Sequence, residues 1–228
     1  MRTVRHLLSF VQGDFLAYIG TVSVRSLRAV MCLTMLVMWF FGVATSWSQD
    51  YPHAVACGGF GDFSEILHYN GSVWEKINHG LPGGRMRVWG TASNDIYMTV
   101  GSSNPLFHYD GTDWSEMSGA PGGLAIWGTS GNDIFIGSGS KILHYDGSSW
   151  EEQFDFSPYS AQAIWGSASV EVWSFGLDGK IIHYNGFAWS GHSSHTTSCL
   201  RFIWGASSDN VFIGTQNGEV WRWDGNSL

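Results

Sequence analysis

The stretch KILHYDGSSWEE at residues 141–152 decides the fold, because four variants of it occur elsewhere in the chain. They read EILHYNGSVWEK from Glu65, PLFHYDGTDWSE from Pro105, KIIHYNGFAWSG from Lys180 and EVWRWDGNSL from Glu219. Apolar residues precede an Asp-Gly or Asn-Gly pair in every copy, and a tryptophan follows the pair in all but the last. Such pairs favour a two-residue hairpin loop in which both residues have positive φ. The stretch therefore predicts two antiparallel strands joined by a tight turn.

A second motif alternates with the first and reads RVWGTASNDIYMTV, AIWGTSGNDIFIGS, AIWGSASVEVWSFG and FIWGASSDNVFIGT. Its tryptophans are separated by 38, 38 and 39 residues, so one unit repeats. A degenerate first copy places Trp47 where Trp127 stands, and the units are predicted to start near residues 47, 89, 127, 165 and 204. The repeated positions, to which we assign a structural role, are Trp89, Trp127, Trp165 and Trp204, then His68, His108, His144 and His183, then Trp74, Trp114, Trp150 and Trp189.

Each unit is predicted to form four short strands, which in the third unit are LAIWG, DIFIGS, KILHYDG and SWEEQ. Ile134 and Ile136 point to one face of the second strand and Phe135 to the other, so both faces are apolar and must be covered. Four-stranded units of about 40 residues that cover each other are typical of the blades of a β-propeller. We therefore expect an all-β propeller of about five blades.

The fifth copy stops at Leu228, where the other copies have tryptophan, so its outer strand is expected to be missing. Three explanations stay open. The ring closes imperfectly, the chain is a fragment of a longer propeller, or a partner supplies the strand.

From about residue 47 onward, the pattern W-G-x-S-x-x-D-V followed by G-x-I-L-H-Y-D-G-x-x-W resembles the propeller repeats of many exported bacterial proteins. It also distantly resembles the Asp-box hairpin of sialidase-like propellers, S-x-D-x-G-x-x-W, but Asp and Gly are adjacent here. The resemblance implies a propeller fold and an exported location. It implies no particular activity.

Residues 1–46 are predicted to be an N-terminal extension with a signal peptide or anchor. Arg25 and Arg28 precede an apolar run at residues 29–44, and small residues follow at a cleavage point near Ser46 or Ser48. A helix of that run would be about 24 Å long, short of the ~30 Å hydrocarbon core. This favours a cleaved signal and a secreted or cell-envelope protein. An uncleaved anchor, which would make the protein membrane-bound, and a buried segment are the alternatives.

The charge of the chain bounds its partners. The net charge is -8, and no Lys/Arg cluster lies in the sequence beyond the first 30 residues. Nucleic acid is therefore not expected as a partner, and a membrane is expected only through an uncleaved anchor. The cysteines are too few for a disulfide framework. Cys32 would leave with a signal peptide, and Cys57 and Cys199 are expected to be buried thiols or, alternatively, a bridge between the first and last units.

Candidate sites are few. The repeated histidines stand at one position in successive blades and are held apart, so no metal is expected there. The set His192, His195 and Cys199 is a weak candidate for a metal site, since it lacks a further ligand pair. Trp173, Trp221 and Trp223 depart from the repeat pattern and are candidate ligand-binding residues, because an indole stacks on sugars or apolar peptide surfaces.

Carboxylates recur before the second strand of four units, at Asp95, Asp133, Glu171 and Asp209. They are expected to bond their own backbone in turns. No paired carboxylates, Ser-His-Asp signature or phosphate loop is visible. The sequence thus favours a non-enzymatic exported module, without a cofactor, that binds a carbohydrate or protein ligand or serves as a scaffold. The alternative is a carbohydrate-active enzyme or a fragment of a larger propeller protein.

Overall fold

The computed structural model describes residues 44–47, 54–60, 63–70, 72–192, 194 and 196–225, which form five antiparallel sheets in chain order. Sheet 1 contains β1 (Ala44–Trp47), β2 (Ala54–Phe60), β3 (Phe63–Tyr69) and β4 (Trp74–Ile77). Sheet 2 contains β5 (Met86–Ala92), β6 (Asp95–Val100), β7 (Phe107–Tyr109) and β8 (Trp114–Glu116). Sheet 3 contains β9 (Ala125–Ser130), β10 (Asp133–Ser138), β11 (Lys141–Tyr145) and β12 (Trp150–Asp155).

Sheet 4 contains β13 (Ala161–Ala168), β14 (Glu171–Gly176), β15 (Ile181–Tyr184) and β16 (Trp189–His192), with a 3-10 turn at Leu177–Gly179. Sheet 5 contains β17 (Leu200–Ser207), β18 (Asn210–Thr215) and β19 (Val220–Trp223). Each sheet is a meander, and sheet 5 has three strands among the described residues, as the shortened fifth copy predicts. Among the described residues, no helix is long and apolar enough to cross a membrane.

The first strand of each sheet is its inner strand. Inner strands of consecutive sheets lie side by side, β1 beside β5, β5 beside β9, β9 beside β13 and β13 beside β17. Because every sheet has the same strand order, all inner strands begin at the same end of the assembly. We call this end the upper face and the opposite end the lower face.

Sheet 1 differs in register from its prediction. Val55 is the counterpart of Phe135, because the two residues pair with His68 and His144. Phe135 also pairs with Trp127 in sheet 3, but Val55 pairs with Ser46 in sheet 1, so Ser46 takes the place that was given to Trp47. Strand β1 also begins at Ala44, within the residues predicted to precede the repeats. Cleavage near Ser46 or Ser48 would separate β1 from the rest of sheet 1.

The hydrophobic core lies between the sheets, in four clusters that each join two neighbours. Cys57 and Ile66 of sheet 1 pack with Met98 of sheet 2, for example, and Phe135 of sheet 3 packs with Ile182 of sheet 4. This confirms that both faces of the middle strands are covered. Cys57 is buried and Cys199 half-buried, both as thiols, so the alternative of a disulfide between them is wrong.

A Trp-Gly dipeptide on the inner strands of sheets 2 to 5 joins these sheets to one another. A Cβ added to Gly128 would lie 2.9 Å from Cη2 of Trp89, and one added to Gly166 would lie 2.5 Å from Cη2 of Trp127. The indoles of sheets 2, 3 and 4 therefore need the bare backbone of the glycine in the following sheet. Trp204 of sheet 5 has no following sheet among the described residues and is 36% exposed.

The outer-strand tryptophans begin β4, β8, β12 and β16, as predicted. The ring centroid of Trp189 lies 6.0 Å from that of Phe154 in the preceding sheet. An inner-strand indole such as Trp127 thus packs on the following sheet, whereas the outer-strand indole of Trp189 packs on the preceding sheet.

The Asp-Gly turn is longer than predicted. Strand β11 ends at Tyr145 and β12 begins at Trp150, so the loop has four residues, and only Gly147 among them has positive φ. Asp146 accepts hydrogen bonds from the backbone N–H groups of Ser148 and Ser149, at 2.8 Å each. These bonds lower the pKa of Asp146 to about 2. The acid is therefore selected as a side-chain acceptor that closes the loop, and not for positive φ.

Candidate functional site

Three of the repeated histidines contact side chains of their own sheet. His108, His144 and His183 stack on Tyr97, Phe135 and Trp173 of the neighbouring strand, with ring centroids 4.4, 4.1 and 4.0 Å apart. Each Nε2 also reaches a carboxylate oxygen at the start of the second strand, at Asp95, Asp133 and Glu171, over 2.8, 2.6 and 2.7 Å. The third pair is close enough for an ion pair but is not aligned for a hydrogen bond.

These contacts correct the expectation that the recurring carboxylates bond their own backbone. The Asp95 carboxylate accepts hydrogen bonds from the Thr91 hydroxyl and from His108. Burial by itself would raise the pKa of Asp95, but hydrogen bonds from Thr91, His108 and Tyr97 outweigh it, and the pKa is lowered. The acids and histidines thus fasten two strands of one sheet to each other.

Sheet 5 keeps this arrangement with different residues. Arg222 occupies the histidine position and donates from Nε to the Oδ1 atom of Asn210, at 2.8 Å. The residue equivalent to the acids is therefore Asn210 and not Asp209, whose carboxylate accepts a bond from the Ser207 hydroxyl. His68 lies opposite Val55 in sheet 1.

Two of the three predicted ligand-binding tryptophans, Trp173 and Trp223, line a small apolar cleft between sheets 4 and 5. Trp173 is only 4% exposed and lies 5.2 Å from Trp223, centroid to centroid. Trp221 and Trp223 are half-buried on β19, whose outer edge has no paired strand among the described residues. A ligand-binding role stays a prediction for these residues, and Trp173 is buried between the sheets.

The weak metal candidate gains no support. His192 packs against Trp173 and Trp223, and burial followed by the nearby His183 lowers its pKa. His195 lies outside the described residues, so the full set of three is not described. Within the described part of the chain, no three His, Cys, Asp or Glu side chains form a metal-binding group.

A group of polar side chains converges at the upper face, close to the axis. It contains Arg85, which directly precedes β5, Gln162 of β13, Arg201 of β17 and Gln216, which directly follows β18. We call these four residues the axial cluster. Sheets 2 and 4 are not neighbours, so a contact between Arg85 and Gln162 must cross the centre of the assembly.

Two β-bulges build this cluster. In β13 the register shifts between Ala161 and Ala163, and in β17 it shifts between Leu200 and Phe202. The extra residues are Gln162 and Arg201. A bulge redirects the side chain of its extra residue away from the regular alternation. The two side chains accordingly point to the cluster and not into the sheets' cores.

The contacts in the cluster are specific. The Oε1 atom of Gln162 accepts hydrogen bonds from Nη1 of Arg85, at 3.2 Å, and from Nη1 of Arg201, at 3.3 Å. Arg201 also donates from Nη2 to Oε1 of Gln216, at 2.9 Å. The amide nitrogen of Gln162 lies 3.1 Å from the Ser160 hydroxyl, and Gln162 is only 6% exposed.

Charge accumulates beside the cluster. Arg87 of β5 donates to the backbone oxygen of Met86 at 2.8 Å. Burial is the main cause that lowers the pKa of Arg87, and both Arg85 and Arg201 lower it further, although Cys57 acts in the opposite direction. Burial likewise raises the pKa of the Cys199 thiol, which lies beside Arg201.

Sequence reasoning missed this group. Gln162 is 77 positions from Arg85 and 39 positions from Arg201, so the cluster does not show in the sequence as a local run of basic residues. A signal was nonetheless present one residue before the A-I-W-G or F-I-W-G run. Leu124 stands there in the third unit, but Gln162 is its counterpart in the fourth and Arg201 precedes Phe202 in the fifth. Polar residues at positions that are otherwise apolar mark a site that the repeat itself does not require.

Comparison with solved structures decides the fold. A structure of YCF48 bound to a D1 peptide aligns with a TM-score of 0.56 and 15% identity, over 82% of this chain and 64% of that one. The extracellular domain of a hybrid two-component system from B. thetaiotaomicron aligns with a TM-score of 0.59 and 14% identity, over 82% of this chain and 27% of that one. The chain is a β-propeller.

A nidogen/laminin complex also contains a similar propeller, with a TM-score of 0.61 and 12% identity over 77% of this chain and 72% of that one. No protein-family model and no curated protein matches the sequence. At these identities the likeness to the solved structures shows the fold alone, and the chain spans 64% of the YCF48 chain and 27% of the two-component receptor chain.

Proposed function

We propose that this propeller is a non-enzymatic binding module of an exported protein, and that it holds a protein ligand at the axial cluster on its upper face. The main support is that Gln162 and Arg201 differ from the repeat pattern and that Gln162 accepts hydrogen bonds from both Arg85 and Arg201. Repeated side chains hold the sheets together. Function on a repeat scaffold is carried by the residues that deviate and converge.

A protein ligand agrees with what similar propellers bind. One neighbour carries a peptide and another comes from a protein complex. Export is supported by the apolar run at residues 29–44 and by the extracellular domain among the neighbours. Three carboxylates on the lower face, Asp95, Asp133 and Glu171, are each engaged with a histidine of their own sheet, which supports binding over hydrolysis as the role of the module.

The test is a displayed random-peptide library selected on the purified full chain. We expect enriched peptides whose binding is lost in Gln162→Ala. The matched control is Phe187→Ser, because Phe187 is 96% exposed in the β15–β16 loop on the lower face. Circular dichroism would verify that both variants fold. Peptide binding that survives Gln162→Ala would contradict the proposed location.

Carbohydrate binding is the second candidate, and the half-buried Trp221 and Trp223 on the unpaired edge of β19 favour it. A glycan array probed with the same protein separates the two candidates. Sugar binding that is lost in Trp223→Ala and retained in Gln162→Ala would replace the protein ligand by a carbohydrate. Turnover of a polysaccharide, abolished by one Asp or Glu substitution, would instead make the protein an enzyme.

A further inference from the structure

The axial cluster places two cations on one neutral acceptor. Nη1 of Arg85 and Nη1 of Arg201 both point at Oε1 of Gln162. A guanidinium keeps its charge at any physiological pH, and its planar fork fits a carboxylate. Where a permanent ion pair would have an acid, this chain has an amide of the same planar shape. The amide orients both cations and leaves their charge uncompensated.

No described carboxylate completes the cluster. Among the residues that the structure describes, neither Arg85 nor Arg201 forms an ion pair, whereas Lys76 pairs with Glu65 and Lys141 with Glu152. Asp178, in the turn after β14, acts on Cys199 beside the cluster. The contrast is marked in a segment, residues 44–228, that carries 18 acidic and 7 basic side chains.

The two cations repel each other when no anion is bound. Water screens the charge of Arg85, which is exposed, but it screens the charge of the half-buried Arg201 less. The lowered pKa of Arg87 beside the pair reflects burial first and these neighbouring cations next. Bound anionic oxygen would relieve this cost, because hydrogen bonds between a guanidinium and a carboxylate are charge-assisted.

The negative net charge of the propeller favours one class of anionic ligand over another. A polyanion such as nucleic acid would be repelled by the surrounding carboxylates, whereas a single carboxylate meets only the local positive field. A carboxylate also presents two oxygens in one plane, one for each guanidinium.

We propose that the axial cluster binds a carboxylate group of the protein ligand between Arg85 and Arg201, with Gln162 as the residue that orients both guanidiniums. This rests on the proposed function, since it names the chemical group that the ligand presents. The carboxylate comes either from an acidic side chain or from the C-terminus of the ligand.

Three small probes separate these sources. N-acetylalanine carries a main-chain carboxylate, N-acetylaspartate amide carries only a side-chain carboxylate, and N-acetylalanine amide is the neutral control. Each is titrated into the isotope-labelled full chain at constant ionic strength, and the arginine Nε–Hε signals are followed by NMR. We expect saturable shifts with at least one acid and none with the amide. Inorganic phosphate serves as the competing anion.

Variants make the site testable. Arg85→Gln and Arg201→Gln should each weaken binding of the acid by about tenfold or more, as expected for the loss of a charge-assisted hydrogen bond. Arg222→Gln is the matched control, because Arg222 is engaged with Asn210 outside the cluster. Without a probe, the two cluster variants should unfold at the same urea concentration as the wild type or higher, because a like-charge contact is removed. A purely structural role predicts a loss of stability instead.

The carboxylate proposal would be overturned by equal binding of the acid and the neutral amide, by phosphate binding at least tenfold more tightly, or by Arg85→Gln and Arg201→Gln binding like Arg222→Gln. Its failure is distinguishable from that of the proposed function. Selected peptides that need Gln162 but neither arginine would keep the binding module and remove the carboxylate. Peptides that ignore Gln162 would remove both.

Discussion

Replacing Gly166 by alanine should weaken the packing between sheets 3 and 4 of the propeller and lower its free energy of unfolding. A Cβ at this position would lie 2.5 Å from Cη2 and 2.8 Å from Cζ2 of Trp127, and 2.8 Å from the backbone oxygen of Glu171. Carbon atoms in contact are about 3.5–4.0 Å apart. The indole would therefore have to retreat by about 1 Å, away from the inter-sheet core that it helps to fill.

The expected loss follows from that geometry. Overpacking a well-packed core costs about 1–3 kcal/mol. Because a rigid ring and a backbone oxygen both oppose the new methyl group, we expect the upper part of that range, about 2–3 kcal/mol. For a domain of this size, this corresponds to a fall in Tm of roughly 4–12 °C. Urea unfolding followed by circular dichroism measures the change in free energy of unfolding.

Two controls isolate the cause. Gly191 of β16 has no atom within 4 Å of an added Cβ, so Gly191→Ala should change stability by less than about 0.5 kcal/mol. In the background of Trp127→Leu, the same Gly166→Ala change should cost less than in the wild type, because the opposing ring is gone and only the Glu171 backbone oxygen remains. An equal loss in both backgrounds, or an effect no larger than that of Gly191→Ala, would refute the packing argument.

Three further expectations follow from the structure. His144→Ala removes the contact with Asp133 and should lower the free energy of unfolding by about 1 kcal/mol, and adding Asp133→Asn should cost little more, as a double-mutant cycle in urea would show. Folding lowers the pKa of Asp95, so the contribution of this carboxylate to stability should be full above its ordinary pKa of 3.8 and should fall as the pH drops through the folded pKa. Urea midpoints measured between pH 5 and 3 should therefore fall less steeply in Asp95→Asn than in the wild type. Iodoacetamide at pH 8 should alkylate Cys199 more slowly than a free thiol, because burial raises its pKa, and should leave Cys57 unmodified until the protein unfolds; mass spectrometry that finds Cys57 modified in the folded chain would contradict its buried position.

Much of the fold could be predicted from periodicity. The spacing of Trp89, Trp127 and Trp165 located the inner strands, and the alternation around Phe135 showed that both faces of a sheet are covered. The exact turn was harder to predict, because Asp146 acts through its side chain, whereas the sequence rule concerns backbone φ. Local propensity predicts that a turn is present more reliably than how many residues it contains.

The candidate site could not be predicted in the same way. Arg85 and Gln162 meet only because the arrangement of sheets brings the second and fourth units together, and bulges then redirect Gln162 and Arg201. Bulges depend on one extra residue, which leaves almost no trace in a repeat that already varies by a residue from copy to copy. The structural role assigned to the histidines stays a prediction, and their acidic partners became visible only when strand register was known.

The packing of each inner indole on the glycine of the following sheet gives the array a direction. From sheet 2 to sheet 5, a unit receives a ring at its glycine or presents its own ring to the next unit, so the three junctions between these sheets are made from the same two components. A gene segment that duplicates one whole unit would bring both components with it and would create a new junction like the old ones. Length can therefore change by whole units through recombination without redesign of any interface, while substitutions outside the Trp-Gly pair remain free to diversify what the ring binds.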